Sequence, residues 1–165
     1  MNNTALITGA SSGIGLDLAK IHARLGGNLV LVARNKQKLL EIKNEFESNY
    51  HVEVVVIEQD LSHKDAALEV YNQTSQLGIT IDILINNAGF GDFGFFADTD
   101  WFKEYEMISL NIVALTQLTK LYAQDMIEQG SGKILNVASI AAFLPGPKMA
   151  IYYATKAYVL SFSEA

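Results

Sequence analysis

The chain has 165 residues, half of them hydrophobic and 18% charged, which excludes general disorder and suits one domain with its own core. A formal net charge of −6 argues against broad, non-specific nucleic-acid binding, which needs a basic surface to neutralise phosphates. With no cysteine, disulfides, Cys-ligated zinc and a thiol nucleophile are all excluded.

The predicted elements alternate between short β-rich runs and longer amphipathic stretches. Thr4–Thr8 reads as a strand, with no basic or long apolar leader before it. Gly13–Gly26 reads as a helix, with Ile14, Leu18, Ile21 and Leu25 at helical spacing as its apolar stripe. Gly26-Gly27 stops it. Asn28–Ala33 is a second strand and Lys36–Ser48 a second helix. Val52–Ile57 is a third strand, and Ser62 is expected to cap a helix running to about Leu77. Asp82–Asn86 is a fourth strand. A glycine- and aromatic-rich loop spans Gly89 to Asp98, followed by one long helical pattern from Thr99 to Gln129. Ser131-Gly132 turns the chain into a fifth strand, Lys133–Val137, and a final helix begins near Ile151.

Strands separated by helices of this length imply βαβ units, an α/β class and a parallel sheet with right-handed crossovers. The strand runs are nearly unbroken in apolar residues, as expected when helices cover both faces. No apolar run approaches the ~20 residues of a membrane helix. His22, His51 and His63 lack metal-ligand spacing, so no metal site is expected. The expectation is a soluble, cytoplasmic chain forming one domain over residues 1–165.

The first strand–helix turn reads Thr8-Gly9-Ala10-Ser11-Ser12-Gly13-Ile14-Gly15. Backbone N–H groups at a helix N-terminus bind phosphate with help from the helix dipole. Glycines let the backbone approach such a ligand closely. After the second strand, Val32-Ala33-Arg34-Asn35 carries no acid for a ribose 2′-hydroxyl. Arg34 is either a 2′-phosphate ligand or a solvated residue before the second helix. The missing acid favours the first reading, and with it NADP(H) over NAD(H). Asp60-Leu61, after the third strand, either meets the adenine amino group or is a carboxylate near a helix start.

Further motifs follow in order. Asn86-Asn87-Ala88-Gly89 ends the fourth strand, Asn111 lies in the long helical stretch, Ser139 follows the fifth strand, and Tyr152-Tyr153-Ala154-Thr155-Lys156 opens the last helix. Together with Thr8–Gly15, they resemble the short-chain dehydrogenase/reductase family in its compact single-domain branch, over essentially the whole chain. The resemblance implies a Rossmann-like, doubly wound parallel sheet in α/β/α layers and nicotinamide-dependent carbonyl–alcohol chemistry. It implies Tyr152 as acid/base and Lys156 as the residue that binds the nicotinamide ribose and lowers the tyrosine pKa. It implies Ser139 as the residue holding the substrate oxygen and Asn111 as the one positioning a relay water. Asn87, Ala88 and Gly89 would shape the floor beside the cofactor.

The physics agrees with these roles. Tyr152 and Lys156 share one helical face at i, i+4, and a nearby ammonium favours the phenolate. Tyr153 competes for the same face, and the Tyr-x3-Lys spacing favours Tyr152. Read without the resemblance, Ser139 is a cap or turn residue and Asn111 a bend. The two loops Phe90–Phe96 and Ala141–Pro147 are apolar and aromatic. They either line a pocket for an apolar carbonyl or alcohol, or pack on helices or a subunit interface.

The pattern ends inside a helix with no Gly or Pro stop, so the chain is expected to be a fragment of the usual fold, truncated after the fifth strand. That fifth strand would then be a sheet edge. The resemblance also implies a homo-oligomer, pairing through the helices near Asn111 and Tyr152. Leu115, Leu118 and Tyr122 would face either a partner or the sheet. The competing readings are a non-catalytic NAD(P)-binding sensor or interaction protein on the same fold, or an inactive fragment.

Overall fold

Strands buried on both faces need side chains that pack in both directions, and Ala5, Leu6 and Ile7 of the first strand are all fully buried. In the computed structural model, which describes residues 3–165, five strands form one parallel sheet in the order β3-β2-β1-β4-β5. They are β1 (Thr4–Thr8), β2 (Asn28–Ala33), β3 (Val54–Glu58), β4 (Ile83–Asn86) and β5 (Lys133–Asn136). Leu6 pairs with Val30, Leu31 with Val56 and Ile85 with Leu135. Helices α1 (Gly13–Arg24) and α2 (Lys36–Tyr50) cover one face, where Ala19, Ala23, Leu39 and Phe46 pack on Ala5, Ile7 and Leu31. Helices α3 (Ala66–Gln76) and α5 (Leu115–Glu128) cover the other, where Val70, Leu118, Tyr122 and Met126 meet Leu6, Val30 and Leu84. Leu115, Leu118 and Tyr122 are buried, and the last two face the sheet core. The architecture is the three-layer, Rossmann-like α/β fold expected.

Three elements differ from expectation. The stripe expected to bury α1 points largely outward: Ile14, Ile21 and Leu25 are 62%, 53% and 81% exposed. Gly15, Ala19 and Ala23 are buried instead, because small residues one turn apart let the helix lie close on the sheet. Ser62 does not cap α3. That helix starts at Ala66, after Asp65 at φ 64, while the Ser62 backbone N–H and hydroxyl both donate to Asp60. The stretch expected as one long helix divides into α4 (Trp101–Ile108), a π-helical turn (Ser109–Ala114) and α5. The remaining ends shift by a residue or two, which is the ordinary latitude of helix and strand boundaries.

A 3-10 turn (Ile140–Phe143) follows β5, and α6 (Ala150–Glu164) packs against it and the π turn. Among the described residues strand β5 is an edge and pairs only with β4. Its Leu135 is 45% exposed, on the side that α1 and α2 cover elsewhere. Among the described residues no helix is long and apolar enough to cross a membrane.

Candidate active site

The carboxyl ends of β1, β2, β4 and β5 open into a cleft of about 620 Å³, a size typical of small-molecule and cofactor sites. Its first wall is the β1–α1 turn. Gly9 adopts φ 65, and its N–H donates to the Val32 carbonyl at 2.8 Å. Ser11, Ser12 and Ile14 line the cleft, so the exposed Ile14 serves as its wall. Ser12 precedes α1 without a side-chain cap, which leaves the first-turn N–H groups free for an anion. Gly13 and Gly15 do not line the cleft. A Cβ at Gly15 would overlap the Gly9 carbonyl and the Asn87 amide, so its role is close approach behind the turn.

The Asn87–Gly89 segment fixes that turn from the other side. Asn87 Nδ2 donates to the Thr8 carbonyl at 2.9 Å and to the Gly9 carbonyl at 3.3 Å. The Thr8 hydroxyl accepts from the N–H of both Asn87 and Ala88 at 3.0 Å. All three of Asn87, Ala88 and Gly89 line the cleft.

At the β2 end, Arg34 and Asp60 line the cleft together. The guanidinium stands 3.7 Å from the Asp60 carboxylate and is largely exposed. Burial pushes the Asp60 pKa up, but the two Ser62 hydrogen bonds and the Arg34 and His63 charges outweigh it. The net result lies below the usual carboxylate range. Leu61 lines the cleft while its side chain is 5% exposed and belongs to the core. Asn35, which the sequence reading passed over, also lines it and caps α2 by accepting from the Lys38 N–H at 2.9 Å. The signal was an Asn directly before a helix start.

At the β4–β5 end, Tyr152 and Lys156 lie one turn apart on α6, and both line the cleft. Lys156 is 7% exposed, donates to the Val137 carbonyl at 2.7 Å, and sits 6.0 Å from the Tyr152 ring centroid. Burial pushes its pKa down. Tyr153 does not line the cleft; its ring packs on Gly146 and edge-on to Tyr152. Gly91 backs Tyr152: a Cβ there would stand 3.0 Å from the ring.

Besides Gly13 and Gly15, two further predicted residues lie outside the lining. Ser139 caps the 3-10 turn, its Oγ accepting from the Ala141 N–H at 3.1 Å, while Val137 and Ala138 face the cleft. That bond leaves the Ser139 hydroxyl proton free to donate. Asn111, 1% exposed in the π turn, commits its side chain to protein partners. Its Nδ2 donates to the Phe90 carbonyl at 2.9 Å and to Thr155 Oγ1 at 3.0 Å, and its Oδ1 accepts from the Phe90 N–H. Of the aromatic loops, Phe90 lines the cleft, whereas Phe93, Phe95, Phe96 and Phe143 stand exposed. The Lys148 ammonium lies over the Phe95 ring at 4.5 Å. Gln59, Leu110 and Val137 also line the cleft and carry no local sequence signal.

Sheet order, glycine turn and a cleft at the strand carboxyl ends define the class: a Rossmann-like α/β protein. The family model of the short chain dehydrogenases matches residues 3–165, and the chain belongs to that family. It is 37% identical over 165 residues to very-long-chain 3-oxoacyl-CoA reductase-B of Danio rerio, covering 97% of this chain and 52% of the relative. The Homo sapiens very-long-chain 3-oxoacyl-CoA reductase is 34% identical at the same coverage. Among solved structures, the bulky-bulky ketone specific alcohol dehydrogenase from Comamonas testosteroni superposes with a TM-score of 0.92 at 40% identity. That match covers 98% of this chain and 64% of the other. A short-chain dehydrogenase from Sphingobium yanoikuyae, in complex with NADPH, superposes at 0.93 with 39% identity, covering 98% and 63%. The chain spans about half the length of the curated relatives it matches.

Proposed function

We propose that this chain carries the cofactor cleft and acid/base machinery of an NADP(H)-dependent oxidoreductase that interconverts a carbonyl and an alcohol. The observation that carries the reading is the single cleft shared by the glycine turn, Arg34, Tyr152 and Lys156. A dinucleotide fits its chemistry: free first-turn N–H groups at one wall, a guanidinium at the β2 end, and a cationic lysine beside the tyrosine. When bound, the nicotinamide supplies or accepts the hydride.

The protein's own residues handle the proton. The Tyr152 hydroxyl gives a proton to the carbonyl oxygen in reduction and takes one in oxidation. Lys156, held by the Val137 carbonyl, stands beside the Tyr152 ring, where it would bind the nicotinamide ribose. The Ser139 hydroxyl donates to the substrate oxygen where negative charge develops. Asn111 holds the Phe90 backbone, and so the floor of the cleft, in register with α6. The substrate is apolar, because exposed Phe and Leu side chains crowd the two loops at this end. Two of the similar proteins, named as a very-long-chain 3-oxoacyl-CoA reductase and a bulky-bulky ketone specific alcohol dehydrogenase, support this reading.

The test is Tyr152→Phe in the complete protein. Turnover of a bulky apolar ketone should fall by roughly 10²–10⁴-fold, the range for a lost general acid, while NADPH binding survives. Full turnover in Tyr152→Phe would sink the acid/base assignment. A sensor on the same fold would bind NADPH and turn over no ketone at all.

A further inference from the structure

Tyr152 stands on α6 and Phe90 on the loop after β4, and one buried hydroxyl joins the two. Thr155 is 1% exposed. Its Oγ1 donates back to the Tyr152 carbonyl at 2.7 Å and accepts from Asn111 Nδ2 at 3.0 Å. The same Asn111 amide holds both the carbonyl and the N–H of Phe90. A continuous chain therefore runs from the cleft floor at Phe90, through the π turn, to the backbone of Tyr152.

A helical Thr bonding back to its own helix is common and local. The bond received from Asn111 is neither, because it crosses 44 residues of sequence and is buried. A buried N–H must find an acceptor, so the Asn111 amide and the Thr155 hydroxyl each fix the other. The π-helical geometry at Ser109–Ala114 places Asn111 between its two partners, and such turns cluster at functional sites.

We infer that Thr155 is a positioning residue, setting α6 against the π turn so that Tyr152 keeps a fixed placement over the Phe90 floor. The inference rests on the reading of Tyr152 as acid/base. Thr155 does not line the cleft; it acts through Asn111 and the Tyr152 backbone. Thr155→Val keeps the shape of the side chain and removes the hydroxyl, leaving an Asn111 N–H buried and unpaired. Thr155→Ser keeps the hydroxyl.

Amide hydrogen exchange at Phe90, read on the complete protein, reports the linkage without any turnover. Thr155→Val should speed Phe90 exchange about tenfold, the effect of one lost buried hydrogen bond, and Thr155→Ser should restore it. In the complete protein Thr155→Val should lower kcat about tenfold at an unchanged KM for NADPH. Thr155→Ser should recover kcat. Where Thr155→Val fails to fold, Thr155→Ala gives the same comparison. Either readout unchanged in the hydroxyl-free variant overturns the inference, as does a Thr155→Ser variant as impaired as Thr155→Val. Full turnover in Tyr152→Phe strikes the acid/base reading instead and leaves the exchange result standing.

Discussion

Arg34 has two possible anionic partners, and their strengths differ. Its pair with Asp60 is long, at 3.7 Å, and exposed, which places it among ion pairs worth at most about 1 kcal/mol. A phosphate offers the guanidinium a shorter, charge-assisted and bidentate contact. Hydrogen bonds to charged groups contribute about 1.5–3 kcal/mol each, so a 2′-phosphate would displace Asp60. Asp60 itself stays ionised, since its carboxyl sits below the usual range and its Oδ1 is taken by Ser62. With Arg34 gone, that carboxylate would face the phosphate unshielded. Arg34→Ala should therefore weaken NADPH binding ten- to a hundredfold and leave NADH binding within about threefold, followed by nicotinamide fluorescence. Equal loss for the two cofactors would show that Arg34 does not read the 2′-phosphate.

Helix α1 approaches the sheet through its smallest residues. Gly15, Ala19 and Ala23 recur every turn and are buried, while the larger Ile21 and Leu25 face away. Ala19→Leu should cost about 1–3 kcal/mol by forcing the helix off β1, whereas Ile21→Gln should stay within about 0.5 kcal/mol. Urea unfolding separates the two, and the reverse order would mean that α1 packs on its large residues. The same helix shows what a residue pattern conveys. Hydrophobic period marks where a helix is, and Gly13 to Arg24 was legible on that ground. It does not report how close the helix lies, which is decided by residues that score as weakly apolar. The strands were legible because both-face burial leaves an unbroken apolar run, and β1 and β2 fall on the residues expected. A bend at Asn111 was legible but its π geometry was not: Ser109–Ala114 holds no Gly or Pro, and that geometry accompanies bonds from Asn111 to residues 21 and 44 positions away. The site divides the same way. Arg34 and the Tyr152–Lys156 pair announce themselves by local spacing. Gln59, Leu110 and Val137 reach the cleft only through the crossing of βαβ units, and Thr155 gains its part only when α6 meets the π turn.

Across the whole molecule, ionisable groups pull stability in opposite directions with pH, and within the site Lys156 is on the costly side. Glu47 accepts from Lys43 Nζ at 2.7 Å and from the Val54 N–H at 3.1 Å, tying α2 to β3. The Lys43 hydrogen bond lowers its pKa, and burial only partly opposes this. Glu47 and Asp60 therefore bind protons more weakly folded than unfolded. Their contribution is complete above the ordinary carboxyl pKa of about 4 and is lost as pH falls through their folded values. Lys156 runs the other way. Burial lowers its folded pKa, so the unfolded chain binds that proton more readily, and stability rises with pH between the folded value and the free-lysine value of about 10.4. Below that folded value the fold thus carries a burial cost at Lys156, whose hydrogen bond goes to a neutral carbonyl rather than to a carboxylate. Urea unfolding across pH 2.5–10 should show an acid fall beginning near pH 4 that Glu47→Gln flattens. It should also show an alkaline rise that Lys156→Met removes while raising stability at pH 7. A Lys156→Met chain less stable than wild type at pH 7 would mean that the ammonium–carbonyl bond outweighs burial, and that the site stores no such cost.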